Sequence, residues 1–196
     1  MPLLQSLRIE KQEYCLHGDT ADNGPRVLVV MLRKILHRVM RVSVDSMTAK
    51  QQLDAFISRY SPEVARVARQ TLRWMRKRFP DACVMVYDNY NALAIGFGPT
   101  ERASDAVFSI ALYPRWVNLF FLQGATLPDP NRLLKGSGKQ VRSIRLEDVR
   151  ELDKPELRAL MDQEATRLGL IPGTGSGEIK IQSISPKQRP RRHAGH

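Results

Sequence analysis

Phe108-Ser109-Ile110-Ala111-Leu112-Tyr113-Pro114-Arg115-Trp116-Val117-Asn118-Leu119-Phe120-Phe121 is the stretch that decides the fold. Phe108, Ile110 and Leu112 alternate with small residues, Pro114-Arg115 marks a turn, and Val117, Leu119 and Phe121 resume the same period of two, ending at Gly124. That period belongs to strands with one face buried, and the turn makes the pair antiparallel. Upstream, Cys83, Met85 and Tyr87 alternate in a first strand that Asp88-Asn89 turns, and Leu93, Ile95 and Phe97 mark a second ending at Gly98-Pro99. Downstream, Val141 to Leu146 reads as a fifth. Ala92, Ala94, Gly96, Ser109 and Ala111 leave the opposite face of the middle strands small, so another element can approach closely there, and helices are expected to do so.

Helical signals flank the strands. Lys50 to Arg59 sets Leu53, Phe56 and Ile57 on one side. Ser61-Pro62-Glu63 then starts a second helix: Ser caps free amides, Pro fits the first turn, and Glu complements the positive dipole end. Its buried stripe is Val64, Val67, Ala68, Thr71 and Met75, while Arg66, Arg69, Arg73 and Arg76 share the other side. A last helix spans Pro155 to Leu168, with Gly169 as terminator. Two helices, consecutive short strands and a helix give an α+β domain: a two-layer sandwich of an antiparallel sheet of about five strands with helices packed on one face.

The chain has 196 residues, room for one domain plus tails, and a net charge of +11. Cys15 and Cys83 stand far apart, which suggests neither a disulfide framework nor a thiolate metal site and fits a cytoplasmic location. The longest apolar run, Val27 to Leu32, falls far short of the roughly 20 residues a membrane span needs. Residues 1–46 read as an N-terminal extension: Val27 to Val42 has the pattern of a basic amphipathic helix, and Met47-Thr48-Ala49-Lys50 is a candidate true start. Residues 47–170 hold the α+β domain. Residues 171–196 read as a flexible linker, Pro172-Gly173-Thr174-Gly175-Ser176-Gly177, followed by a disordered basic tail.

The domain region resembles the YdhG-like family of domains of unknown function. The resemblance rests on Tyr87-Asp88-Asn89-Tyr90-Asn91, on Phe108 through Pro114, on Leu119-Phe120-Phe121 with Gly124, on Leu127 with Asp129-Pro130, and on Lys135-Gly136-Ser137-Gly138-Lys139 through Arg142 and Arg145. It implies the same sandwich. Because some members are assigned a frataxin-like iron-chaperone role, it also makes iron an alternative cargo.

Three constellations can carry chemistry. Lys135-Gly136-Ser137-Gly138-Lys139 departs from a nucleotide-hydrolysing phosphate loop at Leu133 and Gln140 and precedes a strand. Gly136 and Gly138 can nevertheless turn amides toward an anion that Lys135, Lys139 and Arg142 pair, or the segment is a plain strand connection. Tyr87, Asp88 and Tyr90 form a polar aromatic turn that rims a pocket or finishes the core. Glu147, Asp148 and Glu151, with Asp153, are oxygen ligands for a hard cation such as iron, or complement the last helix. All four histidines, His17, His37, His193 and His196, lie outside the domain region, which leaves no imidazole for a nucleophilic triad or a zinc site. The expectation is a binding domain and not a conventional enzyme, without a cofactor, for an anionic small molecule or protein partner. Nonspecific nucleic-acid association through the helix-two arginines and the tail is the further alternative.

Overall fold

The computed structural model describes residues 47–192. The N-terminal extension expected over residues 1–46, with its helix over Val27 to Val42, lies outside that range.

Local chemistry sets the helix ends. Helix α1, Ala49–Ile57, opens on a capping box in which Thr48 and Gln51 satisfy each other's amides. Helix α2, Pro62–Arg78, opens on the Ser61 hydroxyl, which accepts from Val64 N, and closes on Arg76, Lys77 and Arg78 at its negative dipole end. Helix α3, Pro155–Arg167, ends before Gly169, whose φ of 73° is the left-handed geometry of a helix terminator.

The strands are β1 Cys83–Asp88, β2 Leu93–Gly98, β3 Phe108–Leu112, β4 Val117–Phe121, β5 Arg142–Leu146 and β6 Ile179–Ile184. They form a six-stranded sheet in the order β5-β4-β3-β2-β1-β6. All neighbours are antiparallel except β6, which runs parallel to β1. Val84, Phe97, Phe108 and Phe121 lie in one row of the ladder, and Val86, Ile95, Ile110 and Leu119 in the next. These rows join Leu53, Ile57, Val64, Ala68, Met75, Leu157 and Met161 of the helices in one core. The domain is therefore the α+β sandwich expected, with one more strand.

Three expectations need correction. In β1 the residues that face the helices are Val84, Val86 and Asp88; Cys83, Met85 and Tyr87 take the opposite face. Alternation could not decide this, because residues 83–86 are apolar at both parities and buried on both sides. The small face meets a connection and not a helix: a Cβ on Gly98 would stand 2.8 Å from Asp105 O, and one on Gly96 would meet Ala106 Cβ at 3.7 Å. Finally, residues 171–192 are neither linker nor disordered tail. Gly173 and Gly177 donate to Asp81, a Cβ on Gly175 would stand 2.3 Å from Asp81 O, and all three adopt positive φ, so these glycines build a fixed turn. The turn delivers β6, whose Ile179 and Ile181 pack against the core.

Candidate functional site

The β1–β2 and β3–β4 turns emerge side by side, since Asp88 pairs with Leu93, Leu93 with Leu112, and Leu112 with Val117. Asn89 N donates to Ala92 O at 3.0 Å and Tyr113 N to Trp116 O at 2.9 Å, so both turns are tight and push their tips outward. A cavity of about 790 Å³ opens there, lined by Asn89, Tyr90, Asn91, Ala92, Tyr113, Pro114, Arg115, Trp116 and Arg189. Its lining holds two arginines, three aromatic rings and no carboxylate. The Tyr113 and Trp116 rings lie 5.4 Å apart at 31°, and the Arg145 guanidinium sits 5.2 Å from the Trp116 centroid. On the other wall the Arg189 guanidinium sits 5.4 Å from the Tyr90 centroid. Guanidinium groups over aromatic faces are held flat by attraction to the π cloud while their N–H edges stay open to an anion.

The C-terminal segment completes this cavity, and a buried carboxylate anchors it. Asp88 is 1% exposed on the helix face, where an unpaired charge would be costly. Its oxygens accept from Arg59 Nη2 at 2.6 Å, Gln188 Nε2 at 2.6 Å and Arg191 Nη2 at 2.8 Å. Its backbone oxygen accepts from Ser185 N, and Tyr90 O accepts from Arg189 N. Arg191 is 5% exposed and lies over the Tyr60 ring, its guanidinium 5.6 Å from the centroid. Arg192 donates to the carbonyls of Ser58, Arg59 and Tyr60, which follow the end of α1. Tyr60, also buried, donates to Leu112 O at 3.1 Å and accepts from Leu93 N at 2.9 Å, tying the α1–α2 turn to both hairpins. Burial, the largest influence, raises the Tyr60 hydroxyl above the ordinary phenol range against the lowering effect of Arg191.

Of Tyr87, Asp88 and Tyr90, expected from sequence to rim a pocket, only Tyr90 lines the cavity. Asp88 anchors the segment beneath it, and Tyr87 is half-buried on the other face of the sheet. The glycine loop is elsewhere. β5 begins at Arg142, opposite Phe121, so Lys135, Gly136, Gly138 and Lys139 stand at the far end of the ladder from Tyr90, on the order of 14 Å away along the strands. Arg142 Nη1 donates to Gly138 O and Val141 O, and Lys135 Nζ to Arg132 O, so these cations satisfy the loop's own carbonyls. Gly136, at φ 128° and bracketed by the Lys135–Ser143 bridge, serves the turn. The loop and the tyrosine turn do not form one cleft.

The acidic set caps the chain. Glu151 Oε1 accepts from Glu147 N and Asp148 N, and Asp148 Oδ1 accepts from Arg150 N and Nε. The Arg150 amide, then its guanidinium, holds Asp148 below the usual carboxylate range. Among the described residues no three His, Cys, Asp or Glu are grouped to hold a metal ion. On α2, Arg69 pairs with Asp54 at 2.7 Å, Arg66 with Asp148 at 3.7 Å, and Arg76 donates to Gly177 O. No helix among the described residues is long and apolar enough to cross a membrane.

No protein-family model, curated protein or solved structure matches the chain. The site is accordingly read from its own geometry. Sequence reasoning missed Arg115, Trp116 and Arg189. The first two stand in the Tyr113-Pro114-Arg115-Trp116 turn, which has the same polar aromatic character as Tyr90 and its neighbours. The alternation of Ile179 and Ile181 is the signal for strand β6, which ends at Ile184, ahead of Arg189.

Proposed function

We propose that this domain is a binding module for a small anionic ligand, held in the cavity between Tyr90 and Trp116. The observation that carries the reading is the acid-free lining, in which Arg115 and Arg189 stand among three aromatic rings. A concave site with a few convergent cations and aromatic walls favours a flat anion. The proposal keeps the ligand class expected from sequence and moves the site from the glycine loop to the paired turns. The iron-carrier alternative draws no support from Glu147, Asp148 and Glu151: Glu151 Oε1 accepts backbone amides, Asp148 Oδ1 accepts from Arg150, and the three are not grouped to hold a metal ion among the described residues.

Thermal melts of the full chain with increasing inorganic phosphate test the reading. A ligand selective for the folded state raises the midpoint by mass action, by about 2.7 kcal/mol of stability at a hundredfold excess over Kd. The parent gains stability, and Arg115→Ala with Arg189→Ala loses most of the gain. An increment retained by that double variant, or removed instead by Lys139→Ala with Arg142→Ala, contradicts the assignment.

A further inference from the structure

Resting on the anion-site reading, we infer that the ligand of this cavity is a nucleotide: a heterocyclic base stacked on Tyr90, with its phosphate paired by Arg115. Tyr90 is 47% exposed at the cavity wall, among the most exposed large apolar side chains of the described residues. An aromatic ring held at the lip of a cavity by a tight turn is a stacking platform, because every base has a π face to offer it. Arg189 lies over Tyr90 on one wall, and Trp116 on the other is backed by Arg145 from the neighbouring cavity. Asn89 and Asn91 flank Tyr90 and are exposed at the same lip. A carboxamide presents one acceptor and two donors in a plane, which matches the edge of a nucleobase and gives nothing to a plain hydrocarbon ring.

The surroundings argue for a compact ligand over a polymer. A second cavity, of about 200 Å³, shares Arg115 and Trp116 with the first, and there Glu63 and Glu147 stand beside Arg66 and Arg145, so its lining is mixed in charge where that of the first is free of acid. A phosphate backbone continued past Trp116 would meet those carboxylates, whereas a single phosphate beside Arg115 stops short of them.

Calorimetric titration of the full chain with adenosine 5′-monophosphate, ribose 5-phosphate, inorganic phosphate and a hexamer of deoxythymidylate tests the inference. The nucleotide binds about 5- to 150-fold more tightly than ribose 5-phosphate, the range that stacking one base supplies. Tyr90→Ala removes most of that ratio by weakening the nucleotide far more than ribose 5-phosphate, while Tyr90→Phe keeps it. Equal affinities for nucleotide and ribose 5-phosphate overturn the base-stacking inference and leave the anion site standing. Failure of all the phosphates to bind removes both. Hexamer binding much tighter than the mononucleotide, with a steep dependence on salt, overturns the compact-ligand assignment in favour of a single strand.

Discussion

Two segments of this chain carry the same ingredients, and the fold treats them oppositely. Lys135–Arg142 and Ser185–Arg192 are both short, polar and cationic. The first remains on the surface, with Arg142 folded back onto Gly138 O and Val141 O. The second is drawn into the protein until Arg191 is 5% exposed. The difference is a counter-charge. Asp88 stands buried on the helix face and collects Arg59, Gln188 and Arg191, whereas the other buried carboxylate of the described residues, Glu164, pairs with Arg167 and not with the glycine loop. Cationic composition locates neither a binding site nor a disordered tail; the position of the buried acid decides which basic segment becomes architecture.

The contrast between the two segments depends most on Asp88. Asp88→Asn keeps the shape and removes the charge, leaving Arg191 buried without its ion pair, and is expected to cost about 3–5 kcal/mol in a denaturant melt. The residue beneath is next. Tyr60→Phe removes a hydroxyl that serves Leu112 O and Leu93 N, both buried, for a loss of about 1–3 kcal/mol.

Titration sharpens the same region. Folded Tyr60 holds its proton more tightly than the unfolded chain, so its contribution is intact below the ordinary phenol pKa of about 10 and is lost as pH rises through the shifted value. Stability therefore falls above about pH 10, and Tyr60→Phe flattens that part of the profile. At the other end of the scale, Lys139→Ala on the exposed loop leaves the melting midpoint unchanged within error. A shift there comparable to that of Tyr60→Phe would mean that the two basic segments are more alike than their burial says.

Much of the fold was legible because its signals are local. Ser61-Pro62-Glu63 fixes a helix start by capping chemistry, and strands β2 and β3 alternate large with small residues, so period and face coincide. β1 hid its register because Val84 and Met85 are equally apolar and both faces are buried. β6 hid altogether. Its partner β1 is some 95 residues away in the register Val84 to Ile179, and the glycines that position it look like a linker until Asp81 is seen to fill the turn. The candidate site was half legible for the same reason. Tyr90 announces itself in an aromatic turn, but Arg189 reaches it only through that distant pairing. Asp88 reads as a turn residue until the β1 register places it indoors.

Hydrogen exchange of the full chain and its Asp88→Asn variant tests the claim that Asp88 fastens the C-terminal segment to the sheet. Protected amides are expected at Ser185 and Arg189, which donate to Asp88 O and Tyr90 O. In the variant those amides exchange far faster, while β2 to β4 keep their order of protection. Ser185 and Arg189 exchanging at the rate of an unstructured chain in the parent protein, or equally slowly in both proteins, would contradict it.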